Sequence, residues 1–228
     1  MTWKRWLIGG LTVAVLAAVG GPFTYIHFIE GKAPAPLSLS SSSSSTSSPG
    51  TSSSVSVDGT WNVTSSSIVG YRVHEILFGQ TNTAYGRTNA ITGSLEVSGT
   101  KITNATFTVD MTKVSSDKQM RDRQFQGRIM ETSTYPTSKF VLTQPIAFAS
   151  LPVAGTLQTK TATGTLTMHG VTKTVTFTLK CVRSGGTAQV NGSIPITFAD
   201  YNIANPSFGP VTTDDHGTLE FTLDLQHA

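Results

Sequence analysis

Cys181 is the only cysteine in the chain. It allows no intramolecular disulfide and no thiolate metal cage. Charge is scarce as well: Asp, Glu, Lys and Arg make up 13% of the 228 residues, about half the usual share of a soluble protein. The net charge is +3, of which Lys4, Arg5 and Lys32 against Glu30 supply +2. Residues 58–228 carry 13 basic and 12 acidic side chains, a balance of +1, and no basic run. Such a surface has no electrostatic footprint for nucleic acid. A nucleophile elbow, a phosphate-binding loop and paired cysteines are all missing. No catalytic residue, cofactor or metal is therefore expected, and the chain does not read as an enzyme. Helical periodicity is sparse, while Thr, Val and Gly are plentiful, which points to an all-β fold.

Long apolar runs are limited to one. Lys4 and Arg5 precede an apolar stretch whose centre, from Leu7 to Phe28, is 22 residues long. As a helix it spans roughly 33 Å, enough to cross a bilayer core. Basic residues on its N-terminal side keep that side cytoplasmic and send the rest of the chain outside. Residues 1–32 are thus expected to be a transmembrane anchor. A cleaved signal peptide is the rival reading, with an apolar region over 7–19, but Ala33, Pro34 and Ala35 form a poor cleavage site. Either way the C-terminal part is exported. Residues 33–57 are dominated by serine and are expected to be a disordered linker. About 20 such residues reach roughly 25 Å, which would hold a domain near the membrane without fixing its orientation.

From Asp58 the pattern changes to period-two alternation, which places one side of each strand on a core. The clearest case is the stretch from Thr163 to Cys181. Leu166 and Met168 alternate with threonines, His169 and Gly170 make a turn, and Val175, Phe177 and Leu179 alternate again. Ala105, Phe107, Val109 and Met111 share one face, as do Phe140 and Leu142. Val190, Ile194, Ile196 and Phe198 form another such face, and so do Leu219, Phe221, Leu223 and Leu225. With segments at 58–63, 68–73 and 90–97, about eight strands result, each with one dry face. Closing them into an antiparallel barrel removes exposed edges and gathers the dry faces inside. An eight-stranded barrel has room for one small or slender ligand.

Residues 115–135 break the alternation. Ser115 or Ser116 is placed to cap a short helix, and Met120, Phe125 and Ile129 are the apolar positions that would dock it on a barrel mouth. Arg121 and Asp122 lie in this segment. Either Arg121 or Arg123 meets a ligand headgroup, such as a quinone oxygen or a phosphate, or Arg121 and Asp122 tie the segment to the barrel. Other motifs carry less. His74 and Glu75 begin like a zinc-protease motif, but Phe78 stands where the second histidine belongs. Asp214, Asp215 and His216 read as an exposed turn before the last strand, His169 as a hairpin turn residue and Cys181 as a passive thiol.

An ordered set of short pieces carries a resemblance. The pieces are Gly59 to Trp61, Asp110 to Thr112, Ser115 to Asp117, Arg121 with Asp122, Tyr135 and Pro136 followed by Phe140, Gly164 to Lys173 (GTLTMHGVTK), and Phe198 to Tyr201. With them, residues 58–228 resemble the bacterial YceI-like family. Glu75 and Gly86 to Thr88 look like a Gram-positive branch. The resemblance implies an extended, lipocalin-like antiparallel barrel around an apolar tunnel that holds polyisoprenoid chains. Relatives of this kind are commonly soluble, so the anchor and the serine linker are departures. The implied tunnel lining is Phe107, Val109, Phe125, Phe140, Leu142, Leu166, Phe177, Leu179 and Phe198. The expected partner is an isoprenoid or other long-chain lipid, with the membrane reached through 7–28. The two alternatives are a ligand-free envelope interaction module, which requires a filled interior, and an enzyme on a lipid-like substrate using Arg121, Asp122 or His169.

Overall fold

The computed structural model describes residues 33–39 and 57–228. The expected membrane helix over 7–28 lies outside these residues. Among the described residues no helix is long and apolar enough to cross a membrane.

Alternation becomes strands much as the pattern dictates. Among the described residues twelve form: β1 (Gly59–Val63), β2 (Ile68–Leu77), β3 (Gln80–Thr88), β4 (Ile91–Ser98), β5 (Lys101–Asp110), β6 (Thr137–Leu142), β7 (Ile146–Ala147), β8 (Gln158–Met168), β9 (Val171–Ser184), β10 (Thr187–Thr197), β11 (Val211–Thr213) and β12 (His216–His227). Eight of them form a closed antiparallel ring in the order β1-β4-β5-β6-β8-β9-β10-β12, with β12 returning to β1. Among the described residues the one α-helix, α1 (Gln119–Gln124), continues into a wider turn at Phe125–Ile129.

Closure depends on how β12 uses one edge twice. Near its C-terminal end it pairs with β1, Leu225 opposite Val63. Nearer its start it pairs with β2, Phe221 opposite Val69. The change of partner falls at Ser67, fully buried, whose hydroxyl donates to the Asp224 carbonyl at 3.2 Å and accepts from the Asp224 amide at 2.9 Å. The Asp224 carbonyl also accepts from the Thr64 amide at 2.8 Å, so at the corner the Ser67 side chain supplies the acceptor for the Asp224 amide. The β2–β3 hairpin then completes the other end of the wall, and β3 reaches the chain after β5 through Arg87 and Ser115. We call the end closed by Trp61 and Leu225 the base and the end beneath α1 the mouth.

Strand β3 departs from the sequence expectation. Its inward positions are Asn82, Ala84, Gly86 and Thr88, too small or polar to show as an apolar face. Small residues recur inside the barrel, at Ala105, Ala162, Gly164 and Gly217. At Gly164 the reason is close approach: a Cβ there would lie 2.4 Å from the Val141 carbonyl oxygen and 2.5 Å from the Phe140 ring. The Phe140 ring can lie flat against the wall only because β8 has no side chain at that point.

Two further expectations are corrected. The helix starts at Gln119, and no side chain caps it. Instead Asp122 accepts from both the amide and the hydroxyl of Ser116, at 2.7 and 2.6 Å. The segment is tied by a carboxylate reaching back, not by a serine reaching forward. Phe125 is buried and Ile129 half-buried, but Met120 faces solvent. The linker expected over 33–57 is also not free along its whole length. Its residues 33–39 hydrogen-bond to the outer wall of the barrel, while 40–56 lie outside the described residues.

Candidate functional site

The barrel is hollow. A cavity of about 830 Å³ runs from beneath α1 down between the strands, near the upper end of the range for small-molecule sites. Its walls are almost wholly apolar. All nine tunnel-lining residues expected from the sequence border it: Phe107, Val109, Phe125, Phe140, Leu142, Leu166, Phe177, Leu179 and Phe198. Phe107, Phe140 and Phe221 point inward from their strands yet keep accessible surface. Inside a closed wall that surface can only face the cavity. Phe177 sits between Phe140 and Phe221, with ring centroids 5.6 and 5.8 Å away at near-perpendicular angles. Edge-to-face contacts of this kind fix the rings without filling the space beside them.

Polar groups gather at the mouth. The Arg121 guanidinium is ion-paired with Asp117 and lies 3.8 Å from the Glu75 carboxylate. Glu75 is buried and accepts a 2.7 Å hydrogen bond from the Asn82 amide. Burial weakens the hold of Arg121 on its proton, but Asp117, Glu75 and Tyr71 outweigh that effect, so its pKa ends above the ordinary value. Tyr71 stacks on Phe125 at 5.0 Å with the rings nearly parallel. Burial above all, opposed by Arg121, pushes the Tyr71 phenol far above its ordinary value of 10.0. The phenol therefore stays neutral across the physiological range. The mouth thus combines a fixed cation, a buried carboxylate and a neutral hydroxyl-bearing ring.

Arg121 borders the cavity, whereas Arg123 is exposed on α1 and does not; the expected headgroup contact of Arg123 is not supported by its position. Asp122 serves the Ser116 tie described above, so Arg121 and Asp122 have different tasks. The place of Glu75 at the mouth escaped the sequence reading because β2 continues to Leu77, four residues beyond the expected segment; Tyr71 fell inside that segment but was not singled out. The signal was present in the alternation of Val73, Glu75 and Leu77, which places a carboxylate among inward positions.

The remaining motifs lie elsewhere. His169 is buried in the β8–β9 turn, with its ring 3.0 Å from the Tyr201 carbonyl and packed on Tyr135; it does not border the cavity. His74 pairs with Asp214 at 3.2 Å and His216 with Asp215 at 2.8 Å, all on the surface. Among the described residues no group of three or more His, Cys, Asp or Glu side chains is placed to hold a metal. Cys181 borders the deep part of the cavity, where burial, opposed by Lys160, pushes its thiol above the ordinary value. Its reaction with a disulfide reagent near pH 8 is expected to be at least about ten-fold slower in the folded protein than in denaturant. Equal rates, followed by thiol release, would place the sulfur in open solvent.

Comparison with known proteins agrees with this architecture. Solved structures that share the fold include the following two. A polyisoprenoid binding domain from Saccharophagus degradans, implicated in plant cell wall breakdown, is 16% identical, with a TM-score of 0.60 over 75% of this chain and 99% of that one. BcnA from Burkholderia cenocepacia is 23% identical, with a TM-score of 0.56 over 71% of this chain and 98% of that one. No curated protein matches the sequence significantly. The family model of the YceI-like domain matches residues 52–225, most of the chain and nearly all of the barrel, so the protein belongs to the YceI-like family.

Proposed function

We propose that this protein holds a long apolar lipid of isoprenoid type inside its barrel, at the outer face of the membrane. The observation that carries the reading is the cavity of about 830 Å³, apolar along its length and open at an end that bears Arg121, Glu75 and Tyr71. Burial of a hydrocarbon chain supplies about 0.8 kcal/mol per CH₂. The mouth offers an arginine to a carbonyl or phosphate at the end of that chain. Lipid binding in the YceI-like family supports the choice of ligand, as does the Saccharophagus relative, described as a polyisoprenoid binding domain. The role is carriage without turnover. The stretch over 7–28 anchors the chain, with Lys4 and Arg5 on the cytoplasmic side. A ligand-free interaction module is disfavoured, since it calls for a filled interior.

Native mass spectrometry of the full chain, released from detergent and followed by lipid extraction, tests this. A stoichiometric added mass that extracts as a prenyl lipid is expected. A bare mass, unchanged after incubation with prenyl quinones and prenyl phosphates, would overturn it.

A further inference from the structure

Glu220 faces outward from β12, between the outward Thr218 and Thr222, yet only 3% of it is exposed. What covers it is the segment 33–39. The Leu37 amide donates to one Glu220 oxygen at 3.0 Å, and Arg87 donates to the other at 2.8 and 3.0 Å. Arg87 also reaches the Ala35 carbonyl at 2.7 Å, Arg72 the Pro34 carbonyl at 2.8 Å and Asn191 the Leu37 carbonyl at 3.0 Å. Pro34 and Pro36 preset the extended backbone that this contact needs, which lowers the entropy cost of docking. The segment is a strap with a direction. Pro34 lies at the level of Arg72, paired with Thr218, and Ser38 at the level of Thr222. It therefore runs from the mouth side toward the base.

Exposed apolar side chains ring the mouth. Phe78, Met120 and Phe208 are 52, 68 and 63% exposed, come from three different segments and all border the cavity opening. The Phe78 amide donates to the Pro210 carbonyl at 3.4 Å, joining two of those segments. Phe78 has a φ of +51°, a left-handed conformation that is costly for a bulky residue. Arg128 lies 5.5 Å over the Phe208 ring, setting a cation beside the apolar tip. The base carries a rival patch, including Val153 at 72% exposure.

We propose that the barrel rests mouth-down on the lipid bilayer, with Phe78, Met120 and Phe208 entering the interface and the strap holding that orientation. This rests on the reading of 7–28 as a membrane anchor. The strap then chooses between the two patches. The six steps from Phe28 to Pro34, where the strap is fixed, span at most about 22 Å. Along the wall, Arg72 stands about 17 Å from the mouth at Leu77, whereas the base at His227 lies about 30 Å from Thr218. An anchor ending at Phe28 is within reach of a bilayer under the mouth and out of reach of one under the base. A lipid chain then passes between bilayer and cavity without crossing water.

The full chain reconstituted in phosphatidylethanolamine–phosphatidylglycerol vesicles provides the test. A fluorophore is placed on Phe78→Cys, Phe208→Cys or Val153→Cys in a Cys181→Ser background, and lipids with an acyl-chain nitroxide act as quencher. Quenching at 78 and 208 is expected to exceed that at 153 by about three-fold or more. Equal quenching at all three sites, or stronger quenching at 153, would overturn the proposal. Arg87→Ala with Arg72→Ala is expected to speed hydrogen exchange over 33–39 and to cut the difference below about two-fold. A full difference retained with the strap released would refute its role. Flotation after an alkaline wash reports the anchor separately: protein that washes off refutes the anchor reading, and the proposal falls with it.

Discussion

Replacing Ala105 and Ala162 together by tryptophan is expected to empty the barrel of lipid while leaving it folded. Both alanines are buried, face inward from β5 and β8, and border the cavity. Adding bulk in a packed core usually costs about 1–3 kcal/mol. Here the added rings enter open volume, so the cost to folding falls at the low end. The cost to binding is larger. Each methylene displaced forfeits about 0.8 kcal/mol, and rings that shorten the buried chain by three methylenes weaken retention about 50-fold. Native mass spectrometry with circular dichroism reads both quantities. Arg123→Ala, exposed and off the cavity, serves as the control that keeps its lipid. A folded double variant with full lipid occupancy would show that the chain does not lie in this cavity.

Trp61→Ala is expected to give the largest loss of stability. Trp61 is 2% exposed and closes the base. Its indole N–H donates to the Val57 carbonyl at 2.9 Å, and its ring meets His227 edge-on at 5.0 Å. Truncating a buried tryptophan costs about 3–5 kcal/mol, which for a domain of this size lowers Tm by about 6–20 °C. Trp61→Phe retains most of the apolar area and loses the hydrogen bond, worth about 1 kcal/mol. Thermal unfolding followed by circular dichroism separates the two. Because Trp61 does not border the main cavity, lipid occupancy at low temperature should survive both changes. A shift below about 3 °C for Trp61→Ala would mean that the base contributes little to folding.

Alternation of apolar and polar residues was enough to identify an all-β barrel. A residue at an inward strand position must be inward whatever the rest of the chain does. That is why eight of the nine lining residues, all but Phe125, could be placed on inward faces before any contact was known. The segment at 115–135 was legible as a break but not in detail. Met120 has the hydropathy of a docking residue, yet only the pose of α1 turns it outward. Arg121 and Arg123 are indistinguishable by type and two positions apart, and helix rotation alone puts one at the cavity and the other in solvent.

What the sequence determined by itself is the fold class, the inward faces and the family motifs, because these depend on local periodicity and on short ordered pieces. Tertiary structure decided whether the interior is filled. That depends on the sum of small residues such as Ala84, Ala105, Ala162 and Gly217 against the width of a closed ring, and no single strand reports the sum. It also decided the partners of Glu75 and the docking of 33–39. Leu37 and Glu220 are 183 positions apart, and only closure of the barrel brings Arg72, Arg87 and Glu220 onto one patch of wall where a proline-stiffened segment can lie.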